Sequence, residues 1–310
     1  MSDRTARIDW AIFAALGFFW GSSYLFIKIG VETLSPFTLV AGRLAVGAAL
    51  LAVVLAVSSQ RLPRDRRTYG HLSIMAVLNI VIPFSLITWG EQSIESALAS
   101  ILNASVPLFT IVLAALFLAD EPITVNRLVG LLVGFGGVVL LTSPSLTGAG
   151  GSLPGELAMI GSSISYAAGN VYARRFVRGL HPMVTSFFQV FLALLATAVL
   201  ALAFERPFAA SIQPSTILSV LWLGVFGSSL AYLAFFRLHS RWGSTRSSLV
   251  AYLLPVVGIA LGFVVLHETI DGRVLVGTAL IIGGVALVNS RFGRRRLAGR
   301  ALADPQTEPG

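Results

Sequence analysis

The sequence contains no cysteine. Disulfides, thiolate metal sites and cysteine nucleophiles are therefore excluded, and the compartment stays open. Charge is scarce: 12% of the 310 residues are Asp, Glu, Lys or Arg, against about 25% in soluble domains. The four histidines, His71, His181, His239 and His267, fall in loops or near the ends of apolar runs, without metal-ligand spacing. There is no G-x-S-x-G elbow and no pair of Asp residues inside an apolar run, which counts against a hydrolase. No Gly-rich phosphate loop points to ATP-driven pumping. No repeated polar rings point to a pore. Cofactors and metals are not expected.

What is present is apolar. Hydrophobic residues make up 55% of the chain, and the mean hydropathy is +0.84. A single core cannot hide that much apolar surface from water, so the solvent is lipid. The net charge of +8 does not imply nucleic acid, because the Arg residues sit in short loops between apolar runs. The first apolar run is too long for the core of a signal peptide and lacks a small-residue cleavage site.

A membrane helix needs roughly 20 apolar residues. Ten runs qualify, at about 9–30, 36–58, 72–90, 96–118, 125–142, 153–173, 182–204, 215–236, 244–267 and 272–290. Their length and lack of period-two alternation favour helices over barrel strands. With the N-terminus inside, 18 of the 22 Lys and Arg residues fall on inner segments and only Arg206 and Arg273 on outer ones. That bias predicts both termini in the cytoplasm.

Shifted by about 147 residues, the chain resembles itself. Pro36 meets Pro182, Pro107 meets Pro255, and Glu121 meets Glu268. The stretches Glu121–Ser143 and Glu268–Ser290 match best. Each half holds five runs, an odd number, so the second half enters the membrane from the opposite side. The expected architecture is an all-α membrane protein of ten transmembrane helices in two inverted five-helix repeats. The repeats are read as 1–143 and 153–292, joined by an outer linker at 144–152 and followed by a basic, disordered cytoplasmic tail at 293–310. Inverted repeats suit carriers that open to each side in turn, with a site where the halves meet.

Several short segments carry a family resemblance. They are W-G-S-S-Y-L-F-I-K at 20–28, S-P at 35–36 followed by Arg43, N-A-S-V-P-L-F at 103–109 and D-E-P-I-T at 120–124. In this order and duplication they resemble EamA-type members of the drug/metabolite transporter superfamily, over about 10–290. The resemblance implies a ten-helix carrier of small metabolites, often an amino-acid exporter, with a central cavity between the halves. It implies an inner-membrane location, a small-molecule solute and lipid as partners, and a monomer or homodimer. A lipid or lipid-linked flippase is the alternative within transport, and a membrane-embedded enzyme the alternative outside it.

The repeat also nominates residues. Trp20 lies over Tyr166, Tyr24 over Asn170, Lys28 over Arg174 and Arg43 over Gln189. Trp20 and Tyr24 share a helical face, as do Tyr166 and Asn170. These faces either line a cavity or pack a helix interface. Asn79 and Asn103 must face protein or water, since a bare amide in hydrocarbon is costly. Asn103 stands one turn before Pro107, and Tyr252 near the matching turn before Pro255, so a kink is expected at both. Trp89 reads as an interface anchor and Tyr232 as a weaker site candidate. Arg43 is the one charge well inside a run. Its partner is either Glu32, Glu91 or Glu95, or else a solute carboxylate. Glu121 and Glu268 are expected to cap the helix that follows each of them. Gly130, Gly137, Gly277 and Gly284 are expected to let the fifth and tenth spans pack closely. No Asp or Glu lies mid-run, which favours facilitated export or exchange over proton coupling, although Glu32 and Glu91 stand where a cavity mouth would be.

Overall fold

The computed structural model describes residues 3–58, 60, 62–118, 124–148, 150–177, 180–208 and 213–289. Helices dominate: α1 (Asp3–Gly30), α2 (Pro36–Val57), α3 (Arg66–Gly90), α4 (Ser96–Phe117) and α5 (Val125–Thr147) come from the first half. The second half gives α6 (Leu153–Phe176), α7 (Pro182–Phe204), α8 (214–247), α9 (248–266) and α10 (Gly272–Asn289). Among the described residues nine of these are long and apolar enough to cross a membrane. The exception is α6. Its 24 residues suffice for length, but its Gly, Ser, Tyr and Asn content lowers its hydropathy.

Proline starts many of these helices. Pro36, Pro154, Pro182 and Pro214 each occupy the first turn, where a missing N–H costs nothing. Inside the helices, four departures from α geometry come in two matched pairs. Residues Val77–Val81 of α3 and Leu223–Leu230 of α8 form π-helix. In α3 the wide turn closes with Ile82 N–H donating to Val77 O, immediately before Pro83, which cannot donate. The fourth helix of each half is interrupted ahead of its proline. In α4 the α-geometry stops at Asn103 and resumes at Val106, with Pro107 in the new first turn. In α9 a 3-10 turn, Ser248–Tyr252, precedes Leu253 and Pro255. The departures from α-geometry that were expected ahead of Pro107 and Pro255 are thus present as breaks.

The halves interleave. The α1 helix packs on α8 and α9, and α2 packs on α7 and on the π segment of α8. The tightest pair is α5 with α10. A Cβ on Gly130 would stand 2.6 Å from Gly284 O, and one on Gly137 2.8 Å from Gly277 O. The four glycines thus let two backbones meet, as their spacing predicts. The polar helix α6 runs antiparallel along all of α3. Gly155 lies against Gly90, Gly161 against Leu86 and Gly169 against Asn79. At the far end His71 Nδ1 and Tyr172 Oη are 2.6 Å apart.

Three sequence expectations change. The fifth span was expected to stop at 142, yet α5 continues to Thr147 through Pro144. Ser143 Oγ donates to Leu140 O at 2.8 Å, serving the carbonyl that Pro144 leaves without its backbone donor. Gly148, at φ 73°, then ends the helix. The ninth span was expected from 244, but α8 runs on to 247 and α9 begins at 248. Glu268 does not cap α10. His267 adopts a left-handed turn at φ 56°, rare for a residue with a side chain. Glu268 is thereby directed to α4, where its Oε1 accepts from Ser96 N–H at 2.6 Å and its Oε2 from Ala97 N–H at 2.9 Å. Asp271 caps α10 instead, accepting from Val274 N–H at 2.8 Å. Glu121 and the tail at 293–310 lie outside the described residues.

Candidate functional site

Arg43 is the centre of the polar interior. It stands seven residues into α2, so about 10 Å along the helix from Pro36 at 1.5 Å per residue. Only 4% of it is exposed. Its Nε donates to Ser228 Oγ in the α8 π segment at 3.2 Å. The guanidinium carbon lies 4.3 Å from the Phe84 ring centroid on α3, a cation–π contact. Gly227 leaves the space it occupies, for a Cβ there would come within 3.0 Å of both Arg43 Nη2 and Ser23 Oγ. None of Glu32, Glu91 and Glu95 comes within ion-pair distance, and Arg43 forms no ion pair with any described residue. Tyr24, Tyr166, Tyr232 and Glu91 lie within electrostatic range of the charge. An Arg in the interior of a membrane protein is costly unless paired or wet.

Tyr24 and Asn103 extend this centre. Asn103 Nδ2 donates to Tyr24 Oη at 2.6 Å, and Ser162 Oγ on α6 lies 3.4 Å from Asn103 Oδ1. The break in α4 places Asn103 here. Because α-geometry stops at that residue, its amide faces α1 and α6. Nearby, Ser105 Oγ donates to Leu102 O at 2.6 Å, which satisfies a carbonyl at the break. The site thus draws on helices of both halves.

The register that set Arg43 over Gln189 is visible in the contacts. Each belongs to the second helix of its half, and each bonds the π segment of the other half's third helix. Arg43 reaches Ser228 at 3.2 Å, while Gln189 Oε1 accepts from Asn79 Nδ2 at 3.4 Å. Asn79 is also pressed against Gly169. Trp20 and Tyr166 are joined only indirectly. Trp20 meets Tyr232 edge-on at 6.4 Å and Phe235 at 5.5 Å, and Tyr166 is within electrostatic range of Tyr232, Tyr24 and Arg43. Two candidates stand apart from this group. Asn170 is exposed, unlike its counterpart Tyr24. Tyr252 packs among Leu108, Leu131, Val285 and Val288, and its Oη accepts from Asn289 Nδ2 at 3.2 Å.

Phe84, Ser162 and Ser228 were missed by sequence reasoning. Ser and Phe are common in apolar runs, so only the contact to Arg43 or Asn103 distinguishes them. An open cleft of about 310 Å³ lies away from Arg43, where Glu95, Glu156, Asp271 and Arg273 converge between the halves. The Arg43 centre itself is closed over by its neighbours.

Comparison with known proteins agrees with this architecture. The EamA-like transporter family matches residues 9–143 and again 153–290. A WAT1-related chloroplastic protein of Arabidopsis thaliana is 29% identical over 91% of this chain and 69% of its own length. The uncharacterized inner membrane transporter YedA of Escherichia coli K12 is 29% identical over 88% of both chains. A solved crystal structure superposes with a TM-score of 0.64 at 24% identity, covering 89% of this chain and 94% of the other, which bears on the fold. Two matched copies spanning nearly the whole sequence identify this multi-pass membrane protein: the chain belongs to the EamA-like transporter family.

Proposed function

We propose that this transporter is a secondary carrier that exports a small organic solute bearing a carboxylate, an amino acid or a related amphipathic metabolite, by alternating access. The observation that carries the reading is the buried guanidinium of Arg43 with no ion-pair partner among the described residues. A planar fork of donors suits a carboxylate. Phe84, Tyr24, Tyr166 and Tyr232 supply aromatic surface for the solute's apolar body, and Asn103, Ser162 and Ser228 supply polar contacts. This reading places the movement between states at the matched π segments and broken helices. They recur at corresponding places in the two halves, where inverted-repeat carriers place their sites.

The membrane arrangement belongs to the same proposal. Since α6 lies along the full length of α3 from Gly90 to His71, it crosses wherever α3 crosses, giving ten spans. The charge bias sets both termini in the cytoplasm. The Glu91 end of α3 then faces outward. An inner-membrane location agrees with that of the bacterial relative.

The test is a thermal-shift screen of purified protein against amino acids, amines, nucleosides and sugars. A ligand at 100 times its Kd stabilises the folded state by about 2.7 kcal/mol. Carboxylate-bearing solutes should raise the melting temperature. Stabilisation by amines or sugars alone would overturn the reading.

A further inference from the structure

Glu91 stands just past the Gly90 end of α3 and is fully buried. Neither carboxylate oxygen has a hydrogen-bond partner. The nearest cation on α1 does not serve it, because Lys28 Nζ donates to the main-chain oxygens of Glu91 and Ile94, each at 2.7 Å. A charged carboxylate in that condition is unfavourable, whereas a protonated one is tolerated. Two more buried polar atoms on the same helix, Thr88 Oγ1 and Ser85 Oγ, also lack partners. Ser85, Thr88 and Glu91 are spaced three apart, so they form an adjoining stripe. It runs about 9 Å from Glu91 down to the level of Phe84, on which Arg43 lies.

We propose that Glu91 is a proton-binding site, reached along the Ser85–Thr88 stripe and linked electrostatically to Arg43. The linkage rests on the proposed grip of a carboxylate by Arg43. A solute carboxylate on the guanidinium cancels the positive field that favours ionised Glu91. Near the pH at which the solute-free Glu91 loses its proton, a proton from solution then forms an O–H bond on one Glu91 oxygen. Solute and proton therefore bind together, and by reciprocity a protonated Glu91 favours the solute. The proton crosses in the same direction as the solute, so an inward proton gradient opposes export, which then proceeds only where the outward solute gradient exceeds it.

The groups facing Glu91 act in known directions. Burial pushes its carboxyl well above the ordinary carboxylate range; Lys28 on α1 opposes this, Glu268 in the turn before α10 adds to it, and Arg43 on α2 opposes it. Tyr24 on α1 also senses Glu91. Glu95, in the loop before α4, is raised by burial and by Glu268. A carboxyl raised by folding destabilises the fold as pH climbs from the unfolded value of about 4.3 toward its folded value.

Infrared titration of the full-length protein tests this without any solute. A protonated-carboxyl band should persist at neutral pH, vanish in Glu91→Gln and remain in Glu95→Gln. Arg43→Gln, standing in for a neutralised guanidinium, should raise the midpoint of that band by about half a pH unit or more. Glu91→Asp, which keeps the acid, should retain a displaced band if Glu91→Gln folds poorly. A spectrum of Glu91→Gln identical to the parent at every pH would overturn the proton site. An unmoved midpoint in Arg43→Gln would overturn the linkage, whatever the solute proves to be.

Discussion

Removing the Glu268 carboxylate should loosen the contact between the halves. Its two oxygens accept from Ser96 and Ala97 N–H at 2.6 and 2.9 Å, and both donors belong to residues only 1% exposed. Those N–H groups are free ends of α4 with no partner in their own helix. Hydrogen bonds to a charged acceptor contribute about 1.5–3 kcal/mol each. Glu268→Ala should therefore cost about 3 kcal/mol or more, and Glu268→Gln, which keeps one acceptor oxygen, roughly half. Gly262 offers an independent route to the same bond. A Cβ there would run into Glu268 Oε2, so Gly262→Ala should displace the cap. The two changes should not add, because each removes the same interaction. Unfolding of detergent-purified variants by heat and by denaturant would give the four corners of the cycle. Glu268→Ala as stable as the parent, or full additivity with Gly262→Ala, would refute the cap.

Trp20→Ala and Tyr166→Ala should each weaken solute binding about tenfold, on the order of 1.4 kcal/mol, with little loss of expression; a double variant that binds like the parent would make these rings packing only. In this cysteine-free chain, Thr147→Cys and Phe208→Cys should react with an impermeant reagent added outside intact cells, and Leu62→Cys should not. Labelling at Leu62→Cys would reverse the orientation. The melting temperature of the parent should fall as pH rises above about 4.3 toward the raised value of Glu91, and Glu91→Gln should remove that part of the fall.

The helices and the α5–α10 pairing were legible because they rest on strong local signals. Apolar length set most of the spans, and Gly130, Gly137, Gly277 and Gly284 marked the α5–α10 contact. Pro107 and Pro255 marked the breaks. The duplication added what periodicity lacks, namely the equivalence of Arg43 and Gln189. What the sequence hid is three-dimensional choice. Glu268 sits beside α10 in the chain, but the left-handed turn at His267 sends it to α4. The π segments carry no distinctive residue type, since the wide turn at Leu223–Leu230 depends on close approach to α2. Gly47 and Gly224 sit in that contact, with a Cβ on Gly47 meeting Ser228 and one on Gly224 meeting Val46. Arg43 was visible as a buried charge. That Glu32, Glu91 and Glu95 all stay out of its reach was not, because distances between helices are set by packing rather than by order along the chain.

The most direct test of the account is the affinity of purified parent and Arg43→Gln for an amino acid and for the amine lacking its carboxylate. The parent should bind the amino acid more tightly. Arg43→Gln should lose about tenfold or more of that affinity, from a charged hydrogen bond of about 1.5–3 kcal/mol, and bind the amine as the parent does. Its melting temperature should hold or rise, since a buried unpaired charge is removed. Undiminished amino-acid affinity in Arg43→Gln, or equal losses for acid and amine, would contradict the claim that Arg43 grips the solute carboxylate.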